Sequence, residues 1–478
     1  MTNSILGTVV DFPLEAEVLS DFVDQARDFA CAHGIVYKSK QEGLFHPIPF
    51  TLFPSPLPKE FFEKAKSVQN GINLVMFRVS QDRDFLTKTL ARTIQVDDFT
   101  GRLFQIYKQV YEENCTKDVE LGLFRTDYLL DTARGGPGNM ELSMVEINTM
   151  AASLGGMATN MQLLHRFTLG LYGKQYDASC LPGNESLQGF AQGMVKAVQL
   201  YGQPEAVIVF IVQADENNII DQRQLEYAVR ECDPRVKVIR RTLTDMGQRA
   251  ELREDRRLFI DGMEVAVIYY RSGYVPTHFP SDTEWRAKLI GEQSRAAVCP
   301  SVSFHLAGTK KIQQELAKPG VLERFLEDEA LANLIRTTFA EQCSLDQTPE
   351  GEEAAKRGIE NPMKFVMKPQ REGGGNNIYD DDVRTTLQKL AGSQERAAYI
   401  LMARIMPPIH ENYFLRNGVK TVLSNVVSEL GIFGTLVSHG GEVVMNETSG
   451  HLLRTKDIGQ NEGGVGAGAS HVDSPFLV

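Results

Sequence analysis

The strongest signal for the fold lies in the sequence FVMKPQREGGGNN, which spans residues 365–377. Its apolar start, residues 365–367, predicts a strand, and three glycines follow in succession. Because glycine tolerates positive φ, successive backbone N–H groups can turn toward one anion. Lys368 adds a point charge, and Glu372 adds a hard oxygen that suits Mg²⁺. This chemistry is that of a loop that holds nucleotide phosphates.

The loop differs from the two common glycine-rich nucleotide motifs. No Lys-Ser or Lys-Thr pair follows the glycines, as a Walker A loop requires, and the chain contains no GxGxxG. Considered alone, the glycines are explained equally well by a flexible surface turn. Other residues are needed to decide between these interpretations.

A second candidate is the segment Glu146-Ile147-Asn148. Side chains alternate along a strand, so a strand here would place Glu146 and Asn148 on one face. Mg²⁺ takes oxygen ligands and usually only one or two carboxylates besides phosphate, so these two residues and Glu372 form a sufficient set with ATP. As an isolated pattern, Glu-x-Asn is unspecific.

Arginines and a second glycine cluster supply the remaining candidates. Arg454 and Lys456 precede the GGVGAG stretch at 463–468, where another backbone nest is expected. Arg125 and Arg271 each end an apolar run, as carboxylate-binding forks often do. Taken singly, a charged turn or a surface ion pair explains each of them as well.

Composition and charge restrict the class of protein. The chain has 478 residues, enough for more than one core, with 42% hydrophobic and 23% charged residues. A net charge of −12 disfavours nucleic acid and anionic membranes as partners. No stretch approaches the roughly 20 apolar residues that span a bilayer, and no cationic leader precedes an apolar run. We therefore expect a cytoplasmic protein without nucleic-acid or membrane partners, and its composition allows a packed enzyme.

Cysteine, histidine and serine patterns exclude several chemistries. Six scattered cysteines favour reduced, buried thiols over disulfides or a zinc site. The nine histidines show no metal-ligand spacing, and no serine lies in a GxSxG motif. Phosphoryl transfer remains the favoured chemistry.

Periodicity predicts the organisation of the chain. Residues 14–113 are mostly helical in pattern, and β-rich runs joined across Asp261-Gly262 indicate a hairpin within a compact α/β lobe. Residues 344–358 are polar with little periodicity and mark an entry to a mobile lobe, after which strand character resumes at 365–367 and 399–405. Gly440-Gly441 indicates a second hairpin.

Together, the motifs resemble those of the eukaryotic glutathione synthetase family. The resemblance rests on FTLFP at 50–54, EINT at 146–149, LAGTKK at 306–311, KPQREGGGNN at 368–377 and GHLLRTK at 450–456. These segments run in family order through almost the whole chain, and the KPQREGGGNN string is long and highly specific. The resemblance implies a mixed α/β protein, with an ATP-grasp fold, an inserted α/β substrate-binding lobe and a mobile glycine-rich lid.

The resemblance also implies three domains and a homodimer. Residues 1–204 would form a helical scaffold with part of the ATP-grasp core, and residues 205–306 the substrate-binding domain. Residues 307–478 would complete the core, with the lid at about 340–420 and the C-terminal glycine-rich loop.

Residue roles follow by matching each motif. Two Mg²⁺ ions would be held by Glu146, Asn148 and Glu372. ATP would be surrounded by Glu146, Lys310, Lys368, Gly373, Gly374, Gly375, Asn376, Asn377, Tyr379, Met402, Ile405, Glu429, Lys456 and Glu462. The other substrates would contact Arg125, Ala151, Ala152, Ser153, Glu216, Asn218, Gln222, Arg271, Tyr274, Arg454, Val465 and Gly466. The resemblance assigns catalysis to Arg454, Lys368, Gly373 and Gly374.

The implied activity is the ATP- and Mg²⁺-dependent ligation of γ-glutamylcysteine to glycine through an acyl phosphate. Ala151 departs from the family, which often has serine there, so one hydroxyl contact to the peptide substrate is missing. Three alternatives stay open. β-Alanine could replace glycine, since one methylene is worth only about 1–3 kcal/mol. The chain could also be a non-catalytic nucleotide-binding protein, or a kinase, although no Asp-centred kinase motif stands out.

Overall fold

The computed structural model describes residues 6–39, 43–135, 139–372, 374–465 and 468–478. It confirms the mixed α/β class. The helices of these ranges are α1 (Ala16–Ala32), α2 (Lys59–Gln81), α3 (Arg83–Leu90), α4 (Thr93–Val96), α5 (Asp98–Glu112), α6 (Gly155–Tyr172), α7 (Ser186–Tyr201), α8 (Ile219–Cys232), α9 (Leu243–Arg249), α10 (Asp282–Gln293), α11 (Val302–Ala307), α12 (Lys310–Leu316), α13 (Glu329–Arg336), α14 (Pro349–Glu360) and α15 (Asp381–Lys389). The strands are β1 (Val36–Lys38), β2 (Phe45–Pro47), β3 (Phe50–Thr51), β4 (Ser55–Leu57), β5 (Val119–Asp131), β6 (Glu141–Asn148), β7 (Val207–Ile211), β8 (Val238–Arg241), β9 (Ala250–Leu252), β10 (Leu258–Ile260), β11 (Met263–Tyr270), β12 (Ala297–Cys299), β13 (Gln342–Ser344), β14 (Phe365–Pro369), β15 (Tyr399–Ala403), β16 (His410–Leu415), β17 (Leu423–His439), β18 (Glu442–Asp457), β19 (His471–Asp473) and β20 (Pro475–Leu477).

The largest sheet has seven strands in the order β16-β3-β19-β18-β17-β5-β6. Helices lie against it where glycine allows close approach. A Cβ at Gly434 of β17 would lie 2.1 Å from Asn73 of α2, and a Cβ at Gly193 of α7 would lie 2.4 Å from Thr435. Because neighbouring residues of a strand face opposite sides, α2 and α7 cover opposite faces of β17. The core of this sheet is therefore enclosed by helices.

The hairpin predicted at Gly440-Gly441 is confirmed, and its strands are far longer than the apolar segments beside the turn. β17 has 17 residues and β18 has 16. The two glycines have φ values of +60° and +85°, which glycine adopts without strain. β17 pairs with β5 on one side and β18 on the other. Pairing along both edges, rather than local sequence, sets its length.

Strand register places charged residues on neighbouring strands. Arg125 of β5 lies opposite Asn148 of β6, and Glu429 of β17 lies opposite Arg454 of β18. These four residues come from four adjacent strands of one sheet. The sheet therefore brings together side chains that are more than 300 positions apart in the chain.

A second sheet has the order β8-β7-β11-β10-β9, with β12 also paired to β11. Parallel pairing joins β7 to β8 and β11 to both β7 and β12, with helices as the crossovers. The hairpin predicted at Asp261-Gly262 is confirmed, since both residues have positive φ in the two-residue turn between β10 and β11. All six strands lie within residues 205–306. The domain limits themselves stay a prediction.

A third sheet, β13-β15-β14, carries the strands predicted at 365–367 and 399–405. Residues 349–360 form α14, a helix that the sequence pattern did not indicate. Its buried residues are Gly351, Ala354, Ala355 and Gly358. They recur at helical spacing, but such small residues carry almost no hydrophobic signal. The apparent lack of periodicity at 344–358 therefore concealed a regular helix.

The N-terminal region contains the expected helices, α1 to α5, and also four short strands that were not predicted. β3 pairs with β16 and β19, and β4 pairs with β20. Each of these strands has only two or three residues. β1 and β2 pair with each other, whereas the partners of β3 and β4 lie far along the chain, so no local pattern could reveal those two.

The cysteines are free, as predicted, but most are not buried. Cys299 is buried, Cys31 is exposed, and the other four are intermediate. The expectation of buried thiols is therefore wrong except at Cys299. Cys31 lies on α1, whose buried side chains are Phe22, Val23, Ala26 and Ala30. Within the described ranges, none of the helices combines the length and apolar character needed to cross a membrane.

Thr348 is expected to stabilise the third sheet through α14. Its hydroxyl accepts the N–H of Gly351 at 3.2 Å at the start of the helix. Thr348→Ala should lower the free energy of unfolding by about 1 kcal/mol, measured by urea denaturation. Thr348→Ser keeps the hydroxyl and should lose much less. Equal losses for the two variants would contradict a capping role.

Candidate active site

A single cleft brings together most of the predicted site residues. Its cavity volume is about 650 Å³, within the range typical of small-molecule sites. The predicted residues that line it are Arg125, Glu146, Asn148, Ala151, Ser153, Glu216, Asn218, Arg271, Tyr274, Lys310, Lys368, Glu372, Gly374, Asn376, Asn377, Tyr379, Met402, Ile405, Glu429, Arg454, Lys456, Glu462 and Val465.

Five predicted residues are not part of this lining. Gly373 and Gly466 lie outside the described residues. Ala152 and Gln222 line a small neighbouring pocket. Gly375 lies beside the cleft, where its N–H bonds to Glu462. Ala152, Gln222 and Gly375 therefore lie at the edge of the cleft or just behind it.

A buried lysine joins two carboxylates on the cleft floor. The Nζ of Lys310 lies 2.9 Å from Glu146 Oε2 and 3.2 Å from Glu372 Oε1. Burial favours the neutral form of Glu146, but the charges of Lys310 and Lys368 hold its pKa well below the usual range. Burial raises the pKa of Glu372 to about 7 even though Lys310 opposes the shift. The two carboxylates therefore share one ammonium group, but their pKa values shift in opposite directions.

Asn148 adds an amide oxygen beside these carboxylates. Its Nδ2 donates to the backbone oxygen of Arg125 at 3.2 Å and to Asp127 Oδ2 at 2.9 Å, which leaves Oδ1 for a cation. The donor set fits Mg²⁺, which prefers such oxygens, and Lys310 already places a positive charge between the carboxylates. In the described ranges no three His, Cys, Asp or Glu side chains form a metal cluster. A Mg²⁺ ion here would therefore need phosphate or water oxygens as well.

Lys368 lies on β14 and interacts electrostatically with Glu146. Its side chain is buried, and Nζ donates to the backbone oxygen of Val145 at 2.9 Å. Burial lowers the pKa of Lys368, while the charge of Glu146 opposes that shift. The lysine thus supplies a desolvated cation close to the carboxylate of Glu146.

The glycine-rich loop already holds an anionic group. Gly374 and Gly375 have φ values of +69° and +76°. The N–H of Gly375 donates to one carboxylate oxygen of Glu462, and the N–H of Asn377 donates to the other at 2.7 Å. Backbone donors therefore converge on one anion, as the sequence predicted for a phosphate.

One part of the cleft is apolar. Met402 and Val366 face each other across β15 and β14, and Ile405 lies close by along the chain. Leu129 and Val427 also line the cleft, although nothing in the sequence singled them out. In the sequence, a single apolar residue within a long strand looks the same whether it lines a cleft or packs in the core.

Arginines and carboxylates surround the other part. Arg271 donates from Nη1 to the backbone oxygen of Ala151 at 3.2 Å. Ala151 has a φ of +49°, a conformation that costs free energy for a residue with a Cβ. Glu216 accepts from Gln222 Nε2 at 2.7 Å. Gln222 therefore supports a lining residue from behind.

Tyr37 and Gln213 are among the polar residues of this part that sequence reasoning missed. Both line the cleft, and Gln213 Nε2 donates to the hydroxyl of Tyr274 at 3.3 Å. Neither belongs to a motif or stands beside another candidate in the chain. The fold alone brings them to the site.

Arg454 lies between two acidic side chains. Its Nη2 contacts Glu429 and lies 3.0 Å from Asp127 Oδ2, while Nη1 donates to the backbone oxygen of Gly463 at 3.3 Å. These bonds hold the guanidinium group of Arg454, which lines the cleft, in a fixed orientation. Burial opposes its charge, but Glu429 and Asp127 raise the pKa of Arg454 above the usual value.

Together, the fold and the cleft define an ATP-grasp enzyme, in which carboxylates, buried lysines and a glycine-rich loop face one cavity. The chain belongs to the eukaryotic glutathione synthase family. A family model described as "Eukaryotic glutathione synthase, ATP binding domain" matches residues 16–477. The resemblance drawn from the motifs is therefore confirmed.

Individual relatives agree with this membership. Glutathione synthetases of Xenopus laevis and Homo sapiens are each 44% identical over 97% of this chain and 98% of their own. The chloroplastic glutathione synthetase of Solanum lycopersicum is 44% identical over 90% of this chain and 78% of its own. A solved glutathione synthetase-like effector of Globodera pallida, in apo form, has a TM-score of 0.79 at 24% identity and covers 98% of both chains. That last likeness concerns the fold alone.

Removal of the shared ammonium should destabilise the protein. Lys310→Met removes the ammonium group that contacts both carboxylates and leaves Lys368 as the remaining cation near Glu146, so the free energy of unfolding should fall by about 3 kcal/mol. Chemical denaturation measures the change. Lys66→Met is the control, since the exposed Lys66 lies 4.0 Å from Glu63 and should change stability by less than about 1 kcal/mol. Similar effects of both variants would contradict this account of the site.

Proposed function

We propose that this cleft joins γ-glutamylcysteine to glycine at the expense of ATP. Family membership makes the chain an ATP-dependent ligase of glutathione biosynthesis. One observation carries the proposal for the cleft. The carboxylates bridged by Lys310 share a single cavity with the glycine-rich loop and with Arg125, Arg271 and Arg454. Phosphate-binding and carboxylate-binding groups thus face one space.

Two Mg²⁺ ions are part of the proposal, with Glu146, Asn148 and Glu372 as the protein ligands. When bound, the metal would offset the negative charge of the phosphates. The donor chemistry supports it, because carboxylate and amide oxygens suit this ion. Lys310 contacts both carboxylates and would share them with the metal.

The reaction proceeds in two steps. In the first, the cysteinyl carboxylate of γ-glutamylcysteine attacks the γ-phosphorus of ATP, forms an acyl phosphate and releases ADP. In the second, the neutral amine of glycine attacks the acyl carbon, the peptide C–N bond forms, and phosphate leaves with the C–O bond electrons. The ammonium of glycine loses one proton to solvent before the amine attacks, and the second proton lost from the nitrogen goes to the departing phosphate. No protein residue needs to act as a covalent nucleophile.

Protein cations serve each step. Lys368, which lies beside Glu146, offsets charge on the transferred phosphoryl group. Arg454 stabilises the oxyanion of the tetrahedral intermediate, since Glu429 and Asp127 fix its guanidinium. The glycine-rich loop holds the phosphates with backbone N–H groups, and Glu462, which now occupies those donors, gives them up to the nucleotide.

Exclusion of water is a further requirement, because an acyl phosphate hydrolyses readily. The β13-β15-β14 sheet and its glycine-rich loop would close over the cleft as a lid and protect this intermediate. Met402 and Ile405 would contact the adenine. Tyr379, Asn376 and Asn377 would complete the nucleotide site from the lid.

Arg125 and Arg271 would bind carboxylates of the peptide substrate, with Glu216 opposite its ammonium group. Ala151 lacks the hydroxyl that the family often has, so peptide affinity rather than reaction type should differ.

A homodimer and a cytoplasmic location belong to the proposal as predictions from the sequence. The chloroplastic relatives show that members of this family also work elsewhere.

The substrate requirement tests the function. With ATP, Mg²⁺, γ-glutamylcysteine and glycine present, ADP and a tripeptide of the expected mass should form, and omission of either amino substrate should abolish the tripeptide. ADP release at the same rate with and without γ-glutamylcysteine and glycine would contradict a ligase. A competition between glycine and β-alanine separates glutathione from homoglutathione synthesis, and no nucleotide turnover at saturating substrates would favour a binding protein.

Glu372→Ala should abolish turnover, because the proposed metal loses a ligand and Lys310 loses one partner. The loss should exceed about 100-fold in kcat, measured by tripeptide formation, while circular dichroism shows a folded chain. Glu341→Ala is a matched control in the same lid, where Glu341 pairs with Arg357 at 2.7 Å and does not line the cleft. Retained activity in Glu372→Ala would remove this carboxylate from the mechanism.

A further inference from the structure

Asp127 lies at the centre of a hydrogen-bond network that joins three residues of the site. It follows Arg125 by two positions on β5, so both side chains leave the same face of the strand. The Asp127 side chain is 1% exposed and does not line the cleft. A buried carboxylate in this position needs several donors.

Three different residues supply those donors. Arg125 donates from Nε to Oδ1 at 2.6 Å and from Nη2 to Oδ2 at 2.8 Å. Asn148 Nδ2 donates to Oδ2 at 2.9 Å, and Arg454 Nη2 does so at 3.0 Å. Asp127 is the acceptor in each of these hydrogen bonds. The residue at this position must therefore accept at both side-chain oxygens to pair with all three donor residues.

An independent feature of the fold protects this arrangement. Gly431 of β17 lies directly opposite Asp127. A Cβ at Gly431 would lie 2.8 Å from Asp127 Oδ1 and 2.8 Å from Arg125 Cδ, closer than such atoms approach. The neighbouring strand thus leaves room for the carboxylate and its arginine at a position where any larger residue would displace them.

We propose that Asp127 is a positioning residue for the reaction. It orients the guanidinium groups of Arg125 and Arg454 and turns the amide oxygen of Asn148 toward the metal site, because it binds the amide nitrogen. The inference rests on the proposed function, in which Arg125 binds peptide, Asn148 binds Mg²⁺ and Arg454 stabilises the oxyanion. Asp127 touches no substrate and acts through these three side chains.

Asp127→Asn tests the proposal with little change of shape. Its amide presents N–H groups to donors, so the guanidinium groups and Asn148 must turn away. We expect kcat/KM for γ-glutamylcysteine to fall about 10–100-fold, and the Mg²⁺ concentration for half-maximal activity to rise. A merely structural role would lower the melting temperature and leave the KM values and the Mg²⁺ dependence unchanged.

Two further variants keep the test decisive. Gly431→Ala leaves every charge in place but crowds Asp127, and it should raise KM for γ-glutamylcysteine in the same direction. Glu292→Gln is the control, since it alters another buried carboxylate, 3.0 Å from Lys288 and outside the cleft lining. This control should change thermal stability alone.

The outcomes separate the inference from the proposed function. A wild-type protein that forms no tripeptide overturns the proposed function and the inference with it. An active wild type, with unchanged KM and Mg²⁺ dependence in a folded Asp127→Asn variant, overturns the inference alone. If Asp127→Asn does not fold, Gly431→Ala decides, and unchanged kinetics in that variant contradict the positioning role.

Discussion

The arrangement of this protein depends on one ammonium group that lies between two carboxylates. Lys310 comes from α12, Glu146 from β6, and Glu372 from the loop after β14. Two carboxylates that contact the same ammonium group would repel one another without it. The contact therefore ties the loop after β14 to the central sheet.

A close-packed sheet supplies the fixed half of the site. β5, β6, β17 and β18 hold Arg125, Asn148, Glu429 and Arg454 on adjacent strands, and Gly431 lets β17 approach the buried charges of β5. The other half comes from a smaller sheet and a loop rich in glycine. A precise platform opposite a loop that can rearrange is suited to a reaction in which two substrates must be held and water excluded.

Local patterns revealed those elements whose signals are contained in a few neighbouring residues. Asp261-Gly262 and Gly440-Gly441 marked real hairpins, and alternation placed Glu146 and Asn148 together on one face of β6. α14 escaped detection because alanine and glycine form its inner face. β3 and β4 escaped because strands of two or three residues are defined only by partners from the end of the chain. The buried-thiol expectation failed since exposure at Cys31 depends on which helix face packs inward.

By itself, the sequence determined the chemistry of each motif, the family and the mixed α/β class, because these depend on residue types and on order along the chain. Tertiary structure alone decided which groups meet. Asp127 became a shared acceptor, Tyr37 and Gln213 joined the cleft, and Glu462 came to face the glycine-rich loop. Periodicity describes neighbours within one helix or strand. Contacts between residues hundreds of positions apart follow from the packing of whole elements, which local sequence does not encode.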